Sequence, residues 1–386
     1  MSDNSIYSDI AKRTGGDIYI GVVGPVRSGK STFIHRFLDS VVIPNIENEY
    51  DRQRTLDEMP QSASGRMIMT TEPKFIPEDA AELTVEDSVH FSLRLIDCVG
   101  YIVPGCLGYI ENDKPRMVKT PWYEKEIPFN MAAEIGTQKV INEHSTVGLV
   151  VTTDGTLGEI PRNDYEQAEQ RVISELQQIK KPFVVLVNSV NPEGEQCRKI
   201  VDELREKYSV SVMGVNCLEL DSEDIKNILE MVLCEFPITE IRVKLPGWMQ
   251  ALDDTHPVKK SICDCICKCA HTVEKVGEIK KAFAPLSENE FVSRFAFDLI
   301  DYGSGSAKMS IFCSKELYFK VLSELTGFQI DGDEQLVYML KEYSSKKSEF
   351  DRIAEAFADA EAKGYGIVMP DASALTLEEP EIVKRQ

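Results

Sequence analysis

The sequence lacks long hydrophobic runs. Its apolar stretches fall well short of the roughly 18 residues that a membrane-spanning helix needs. The N-terminal segment MSDNSIYSDIAKRTGG is polar and lacks the apolar core of a secretory signal. We therefore expect a cytoplasmic protein without a transmembrane segment. The sequence also shows no long internal repeat and no low-complexity segment.

Basic residues are too few to balance the acidic ones. The chain has 43 Lys and Arg against 64 Asp and Glu, which gives a net charge of −21. Such a field repels nucleic acid and anionic lipid and argues against both as broad direct partners. The 386 residues are enough for a large core, and we expect two domains.

The CxxC spacing typical of zinc sites is missing, although the chain has ten cysteines. In a reducing compartment these side chains are expected to be thiols or metal ligands and not disulfides. Cys263, Cys265, Cys267 and Cys269 alternate in a segment with helical flanks. We favour partly buried thiols on a helix, with a metal site as the alternative.

One stretch has a strong signature, a GxxxxGK[ST] motif between an apolar run and an amphipathic segment. The run Ile18–Val23 predicts a strand, and the segment from Lys30 predicts a helix of about ten residues. A simple glycine turn between strand and helix is the alternative, and the agreement of motif and flanks disfavours it. The predicted nucleotide-binding residues are Gly24, Pro25, Val26, Arg27, Ser28, Gly29, Lys30, Ser31 and Thr32.

The chemistry of this motif is phosphate binding. Gly24 and Gly29 would let the backbone turn tightly and direct its N–H groups at phosphate oxygens. The helix N-terminus adds partial positive charge. Lys30 would reach the β- and γ-phosphates, and the Ser31 hydroxyl would be a ligand of Mg²⁺. The sequence therefore predicts that the protein binds a nucleoside triphosphate with Mg²⁺.

A long polar segment, residues 40–69, precedes two threonines, Thr70 and Thr71. A loop of that length inside a nucleotide-binding domain is usually functional. In switch-type NTPases it closes over the γ-phosphate. We predict that Thr70 or Thr71 senses the γ-phosphate or helps to place the attacking water, and that Thr70 is a candidate Mg²⁺ ligand. The alternative is the start of a strand rich in β-branched residues.

A predicted strand around Val89–Ile96 delivers Asp97, and Gly100 follows three residues later. Asp97 would hold Mg²⁺ through water, and the Gly100 N–H would contact the γ-phosphate. Ras-type GTPases place a Gln next, and this chain has Tyr101. We therefore expect slow hydrolysis with the water positioned by other residues, the threonine pair being our candidate.

The segment Asn188–Asn191 follows another apolar strand and stands where switch-type GTPases have Asn-Lys-x-Asp. Asn188 is kept and is a predicted nucleotide contact. The guanine-reading carboxylate is replaced by Asn191, so guanine selection should weaken and ATP becomes at least as plausible as GTP. The alternative is that guanine specificity is supplied elsewhere in the chain.

Strand and helix patterns alternate to about residue 237. They predict an α/β P-loop NTPase domain over 17–237, with a mostly parallel sheet and helices on both faces, preceded by a lead-in over 1–16. A smaller α+β domain is predicted over 238–386. It contains a hairpin within 292–314, helices at about 315–326 and 332–363, a short strand at 366–369, and no catalytic constellation.

The segments GPVRSGKST, MTTEPKFIP, LIDCVGYIVPG and VNSVNP closely resemble the stage IV sporulation protein A family, the spore-coat morphogenetic ATPases of endospore-forming Firmicutes. The resemblance extends over essentially the whole chain. It implies ATP hydrolysis on a fold related to translation-factor GTPases. It also implies that Lys30 and Ser31 are the Walker A pair, Thr70 and Thr71 the sensor region, and Asp97 the Walker B acid.

The same resemblance implies partners and a location. The family uses ATP hydrolysis to self-assemble into a static homopolymer, the basement layer of the spore coat. The polymer forms on the mother-cell side of the outer forespore membrane. There an amphipathic peptide, stage V sporulation protein M, recruits it, and it recruits other coat proteins. Family members continue into a further C-terminal module, and we expect this chain to stop before it.

Three functions stay open at this point. The leading hypothesis is an ATPase whose product is an assembly. A regulatory switch-type GTPase is the first alternative, and tight GTP selectivity would favour it. A structural protein that binds nucleotide without hydrolysing it is the second, and assembly by a Lys30→Ala variant would favour that.

Overall fold

The computed structural model describes residues 3–60, 73–85, 89–111 and 114–368. Its strands are β1 (Asp17–Val23), β2 (Lys74–Val85), β3 (Val89–Asp97), β4 (Ile110–Glu111), β5 (Lys114–Pro115), β6 (Met117–Thr120), β7 (Tyr123–Pro128), β8 (Val147–Thr153), β9 (Phe183–Asn188), β10 (Val212–Val215), β11 (Glu240–Lys244), β12 (Arg294–Asp301) and β13 (Ser306–Phe312). Its α-helices are α1 (Asp3–Thr14), α2 (Lys30–Phe37), α3 (Glu49–Glu58), α4 (Phe129–Lys139), α5 (Arg162–Gln178), α6 (Glu195–Tyr208), α7 (Ser222–Glu235), α8 (Pro257–His271), α9 (Ile279–Ala282), α10 (Lys315–Thr326) and α11 (Asp333–Lys363).

A six-stranded sheet in the order β10-β9-β8-β1-β3-β2 organises the first part of the chain. All neighbouring strands are parallel except the edge strand β2, which pairs antiparallel with β3. Every residue of β8 and β9 is buried, as expected for central strands covered on both faces. The predicted α/β fold with a mostly parallel sheet is confirmed.

Two apolar layers cover this sheet. On one face α2 and α7 bury Phe33, Phe37 and Ile225 against the sheet. On the other face α4 and α5 bury Phe129 and Ile173. Because parallel strands end at the same edge, the loops after β1, β3, β8 and β9 meet at one side of the domain.

The lead-in that we predicted over 1–16 includes a helix in its described part. It contains the helix α1, whose Ile10 is buried in the core beside the sheet. The side chain of Arg13 donates hydrogen bonds to the carbonyls of Tyr302 (2.5 Å) and Pro237 (3.1 Å). Its guanidinium also lies over the ring of Phe236. Helix α1 therefore connects the six-stranded sheet to Phe236–Pro237 and to Tyr302.

The described residues of the insert after β3, 98–111 and 114–128, pack against the first sheet. Tyr101, Val103 and Cys106 are buried in the same core layer as α4 and α5. The strands β4 and β5 form one small antiparallel pair, and β6 and β7 form another.

A second, three-stranded sheet has the order β11-β13-β12. The predicted hairpin is confirmed, since β12 and β13 pair antiparallel with one irregularity between Phe297 and Leu299. The four alternating cysteines lie on α8, as we favoured from the sequence. Among the described residues no group of three or more His, Cys, Asp or Glu side chains is arranged to hold a metal ion.

By its internal contacts the chain divides into two compact units, 1–312 and 313–386. The first unit contains both the six-stranded and the three-stranded sheet. Within it, Arg13 of α1 binds the carbonyl of Tyr302, and Gly303 lies close to Asp9. The domain boundary predicted at 237/238 lies between the two sheets.

The second unit contains α10 and α11, at the positions predicted for the last two helices. The prediction of a strand at 366–369 is wrong for its described part, since residues 366–368 form no strand. Gly366 instead lies against Ala356 of α11. None of the described helices is long and apolar enough to cross a membrane.

Candidate functional site

The loop 24–29 connects β1 to α2 at the sheet edge where parallel strands end. Gly29 has φ of +101°, and a Cβ there would lie 2.1 Å from Nδ2 of Asn188. Only glycine fits this position. No described side chain caps the start of α2, and its first turn carries no acidic residue. The backbone N–H groups of this turn are therefore free to bind an anion. Ser31 and Thr32 lie in the same turn.

Lys30 is a buried cation. Its side chain is 5% exposed, and Nζ donates hydrogen bonds to the carbonyls of Pro25 (2.6 Å) and Gly24 (3.4 Å). Burial lowers the pKa of Lys30, and the neighbouring Cys98 and Asp97 oppose that shift. Of the described carboxylates, none lies within ion-pair distance of Nζ. A buried ammonium held only by carbonyls is stabilised when an anion binds beside it.

Asp97 stands at the end of β3 and is also buried. Its Oδ2 accepts a hydrogen bond of 2.7 Å from the Ser31 hydroxyl. Its Oδ1 is buried and has no hydrogen-bond partner among the described residues. Burial raises the pKa of Asp97, while Ser31 and the charge of Lys30 lower it. An unsatisfied carboxylate oxygen beside a serine hydroxyl is the donor set that a hard divalent cation prefers.

A second unsatisfied group lies in the loop itself. The side chain of Ser28 is fully buried, and its Oγ has no hydrogen-bond partner among the described residues. Sequence reasoning placed Ser28 in the motif without giving it a separate role. Arg27, the preceding residue, has the left-handed φ of +61° that non-glycine residues rarely adopt. The positive charge of Arg27 repels the Lys30 ammonium and helps to lower the pKa of Lys30.

Gly100 and Tyr101 attach the end of β3 to the loop 24–29. The Tyr101 N–H donates to the Gly24 carbonyl (3.2 Å), and the Val26 N–H donates to the Tyr101 carbonyl (2.9 Å). Gly100 has φ of +89°, and a Cβ there would lie 2.1 Å from the Gly24 oxygen and 2.7 Å from Nζ of Lys30. The backbone of Gly100 therefore forms one wall of the Lys30 environment.

The side chain of Tyr101 points away from this environment, towards α5. Its hydroxyl donates a hydrogen bond to the Glu175 carboxylate, and the Arg171 guanidinium lies 4.5 Å above the ring. Burial raises the pKa of Tyr101, and the hydrogen bond to Glu175 raises it further. Tyr101 thus packs the domain and does not stand where a glutamine would orient a water molecule.

Asn188 joins three loops. Its Nδ2 donates to the Ser28 carbonyl (3.0 Å), and its Oδ1 accepts from the Cys217 N–H (3.0 Å). The side chain is buried. These contacts fix the loop 24–29 relative to the segment after β10.

A cleft of 410 Å³ lies between the ends of β8 and β9 and the start of α6. It is lined by Asp154, Thr156, Ser189, Asn191 and Cys197, among others. Asn191 donates its N–H to the Ser189 hydroxyl (3.0 Å), and Asp154 accepts from the Thr156 hydroxyl (2.6 Å). Sequence reasoning missed Asp154 and Thr156. Their position directly after an apolar strand of a parallel sheet was the available signal.

Of the predicted site residues, the structure brings together the loop 24–29, Lys30, Ser31, Asp97 and Gly100. Thr70 and Thr71 lie outside the described residues, so their predicted role stays a prediction.

The strand–loop–helix geometry and the mostly parallel sheet define the class of the first domain, an α/β P-loop fold. Comparison with known proteins then gives the family. Residues 1–237 match the sequence profile "Stage IV sporulation protein A, ATPase domain", and residues 238–386 match "Stage IV sporulation protein A, middle domain". The chain belongs to the stage IV sporulation protein A family of sporulation proteins.

Three relatives carry that name. The protein of Clostridioides difficile is 47% identical over 383 residues, which cover 99% of this chain and 78% of the relative. The proteins of Bacillus anthracis and Bacillus subtilis are 45% and 43% identical, each covering 100% of this chain and 78% of the relative. The resemblance inferred from the short motifs is confirmed.

The wall formed by Gly100 generates a stability prediction. We expect Gly100→Ala to lower the free energy of unfolding by roughly 3–5 kcal/mol, because strain at positive φ adds to a backbone clash. Gly105→Ala is the control, since Gly105 has φ of +80° with its nearest contact at 3.9 Å. It should cost only about 1–2 kcal/mol. Denaturant unfolding would measure both variants. Equal losses of unfolding free energy in Gly100→Ala and Gly105→Ala would contradict the close approach of Gly100 to the Gly24 carbonyl.

Tyr101 generates a second prediction. Tyr101→Phe removes the hydroxyl that donates to Glu175, and we expect it to cost about 1–2 kcal/mol of unfolding free energy. Tyr50→Phe is the control, because that ring is 75% exposed. Thermal and denaturant unfolding would measure both. A stability unchanged by Tyr101→Phe would show that the hydrogen bond contributes nothing.

Proposed function

We propose that this protein binds ATP with Mg²⁺ and hydrolyses it to ADP and phosphate. The observation that carries the proposal is the pair of buried, incompletely satisfied charges, the Lys30 ammonium and the Asp97 carboxylate, beside an uncapped helix N-terminus. Membership of a family with an ATPase domain supports the same conclusion.

In this proposal the backbone N–H groups of the loop 24–29 and of the first turn of α2 bind phosphate oxygens. Lys30 exchanges its carbonyl partners for the β- and γ-phosphates and stabilises charge as it develops on the transferred group. The residues that would hold Mg²⁺ are Ser31 directly and Asp97 through water. Mg²⁺, when bound, neutralises charge between the β- and γ-phosphates.

The residues around the attacking water would differ from those of Ras-type enzymes. The Tyr101 hydroxyl is engaged with Glu175 on the far side of the loop. Thr70 or Thr71 is our candidate for sensing the γ-phosphate and positioning the water, and Thr70 for a place in the Mg²⁺ shell. We propose slow turnover, because Tyr101 stands in place of the glutamine that orients the attacking water. We also propose that Arg27 contributes to charge stabilisation.

ATP is the preferred nucleotide in this proposal. A carboxylate accepts hydrogen bonds from both guanine donors, and an amide at the same position cannot do so with the same charge. Asn191 lines the cleft, and by its place in the sequence it corresponds to that carboxylate of switch-type GTPases. A switch-type GTPase remains the competing function, and it would require guanine to be read by other residues.

The biological role that we propose rests on family membership and on the motif resemblance. ATP hydrolysis would drive self-assembly of this chain into a static polymer, the basement layer of the spore coat. Its site of action would be the mother-cell face of the outer forespore membrane. The amphipathic peptide stage V sporulation protein M and other coat proteins are the proposed partners. A difference in contacts made by ATP and ADP would bias assembly.

Phosphate release from ATP and GTP, measured side by side, tests the activity. We expect ATP to be hydrolysed faster than GTP. We expect Lys30→Ala to lower turnover by roughly 100-fold or more, since the variant loses a buried positive charge that stabilises the transition state. Lys199→Ala is the matched control, because that side chain lies exposed on α6. Faster hydrolysis of GTP would instead support the switch-type GTPase.

Asp97→Asn separates chemistry from folding. Because burial raises the pKa of Asp97, the neutral isostere should unfold at a denaturant concentration no lower than the wild type at pH 7. We nevertheless expect the variant to need a higher Mg²⁺ concentration for hydrolysis and to turn over more slowly. Wild-type turnover and an unchanged Mg²⁺ dependence would refute the assignment of Asp97.

A further inference from the structure

Helix α11 carries an exposed apolar stripe, which neither the nucleotide site nor the proposed mechanism uses. We define the α11 stripe as Leu340, Tyr343, Lys347, Phe350, Ala354 and Phe357. Its members alternate in steps of three and four residues, the spacing of the a and d positions of a heptad repeat. The four large apolar members are 55–63% exposed.

The described part of the second unit does not cover this stripe. Every residue from 341 to 351 is exposed in the single chain. The backbone after the helix turns back so that Gly366 lies against Ala356, which is 9% exposed and lies on a different face of α11 from the stripe. A contiguous exposed apolar stripe on a helix of 31 residues marks an interaction surface.

We propose that the α11 stripe pairs with α11 of a second copy of this chain as a parallel, in-register, two-stranded coiled coil. In this frame Leu340, Lys347 and Ala354 take a positions, and Tyr343, Phe350 and Phe357 take d positions. Burial of the d-position aromatics between two copies removes their rings from water.

Charge decides the orientation. Lys346 takes a g position and Asp351 the following e position. In a parallel pair g faces the next e of the other helix, so Lys346 faces Asp351 of the partner subunit, twice by symmetry. An antiparallel pair brings g against g, and the g positions Met339, Lys346 and Ile353 offer no acidic group. In the single chain Lys346 contacts Glu342 at 2.6 Å, an exposed pair that is easily exchanged.

Lys347 at an a position specifies the number of strands. A single polar residue in the seam of a coiled coil favours a two-stranded, in-register arrangement at a cost in stability. Its long aliphatic stem packs in the seam while the ammonium reaches solvent.

This inference goes beyond the proposed function, because the pairing needs no nucleotide. Its test is sedimentation equilibrium of the full chain without ATP. We expect a reversible dimer, and we expect Lys30→Ala to leave it unchanged. Failure of the ATPase proposal and failure of the coiled coil are thus measured separately.

The central variant is Phe350→Glu, which places a charge in the buried seam. We expect it to raise the dimer dissociation constant by roughly 100-fold or more. Tyr338→Glu is the matched control, since Tyr338 is 72% exposed at an outward f position. It should leave dimerisation unchanged. Far-ultraviolet circular dichroism would check that both variants keep their helical content.

A charge exchange tests the orientation. Lys346→Asp alone should weaken the dimer by roughly 3- to 10-fold, and adding Asp351→Lys should restore it. Lys347→Leu should strengthen it. A chain that stays monomeric at all concentrations would overturn the proposal and leave the stripe to another occupant. So would a dimer that Phe350→Glu does not weaken, or one that the double exchange fails to restore.

Discussion

The structure depends on holding one ammonium group out of water next to the end of β3. Lys30 is kept there by two carbonyls of its own loop, with the Asp97 carboxylate nearby but hydrogen-bonded to Ser31 instead. Both groups lose hydration, and this loss lowers the pKa of Lys30 and raises the pKa of Asp97. Such an arrangement costs free energy by itself, and an anion bound beside Lys30 together with a cation bound beside Asp97 would offset that cost.

The remaining contacts position that pair. Gly100 and Tyr101 attach the end of β3 to the loop 24–29 through backbone hydrogen bonds, so Asp97 is held at a fixed distance from α2. Asn188 attaches the same loop to β9 and to the segment after β10. The ends of four parallel strands are thereby joined at one edge of the sheet, the edge at which ligands bind in open α/β folds.

Much of this could be read from the sequence, because the informative residues have one physical solution. A glycine-rich turn between an apolar run and an amphipathic helix predicts β1, the loop and α2, and the all-apolar runs predict the buried strands β8 and β9. Local patterns did not reveal α1 as part of the core, since burial of Ile10 depends on distant contacts. They also could not show that Tyr101 faces Glu175, because the direction of a side chain depends on tertiary packing.

Calorimetric titration of ATP into the chain tests the central claim most directly, namely that Lys30 and Asp97 form the site for a nucleotide and its metal. We expect one site per chain, with binding that weakens when Mg²⁺ is chelated and is lost in Lys30→Ala. We also expect GTP to bind more weakly than ATP. Equal binding of ATP by wild type and Lys30→Ala would contradict the account, since the buried ammonium would then have no ligand.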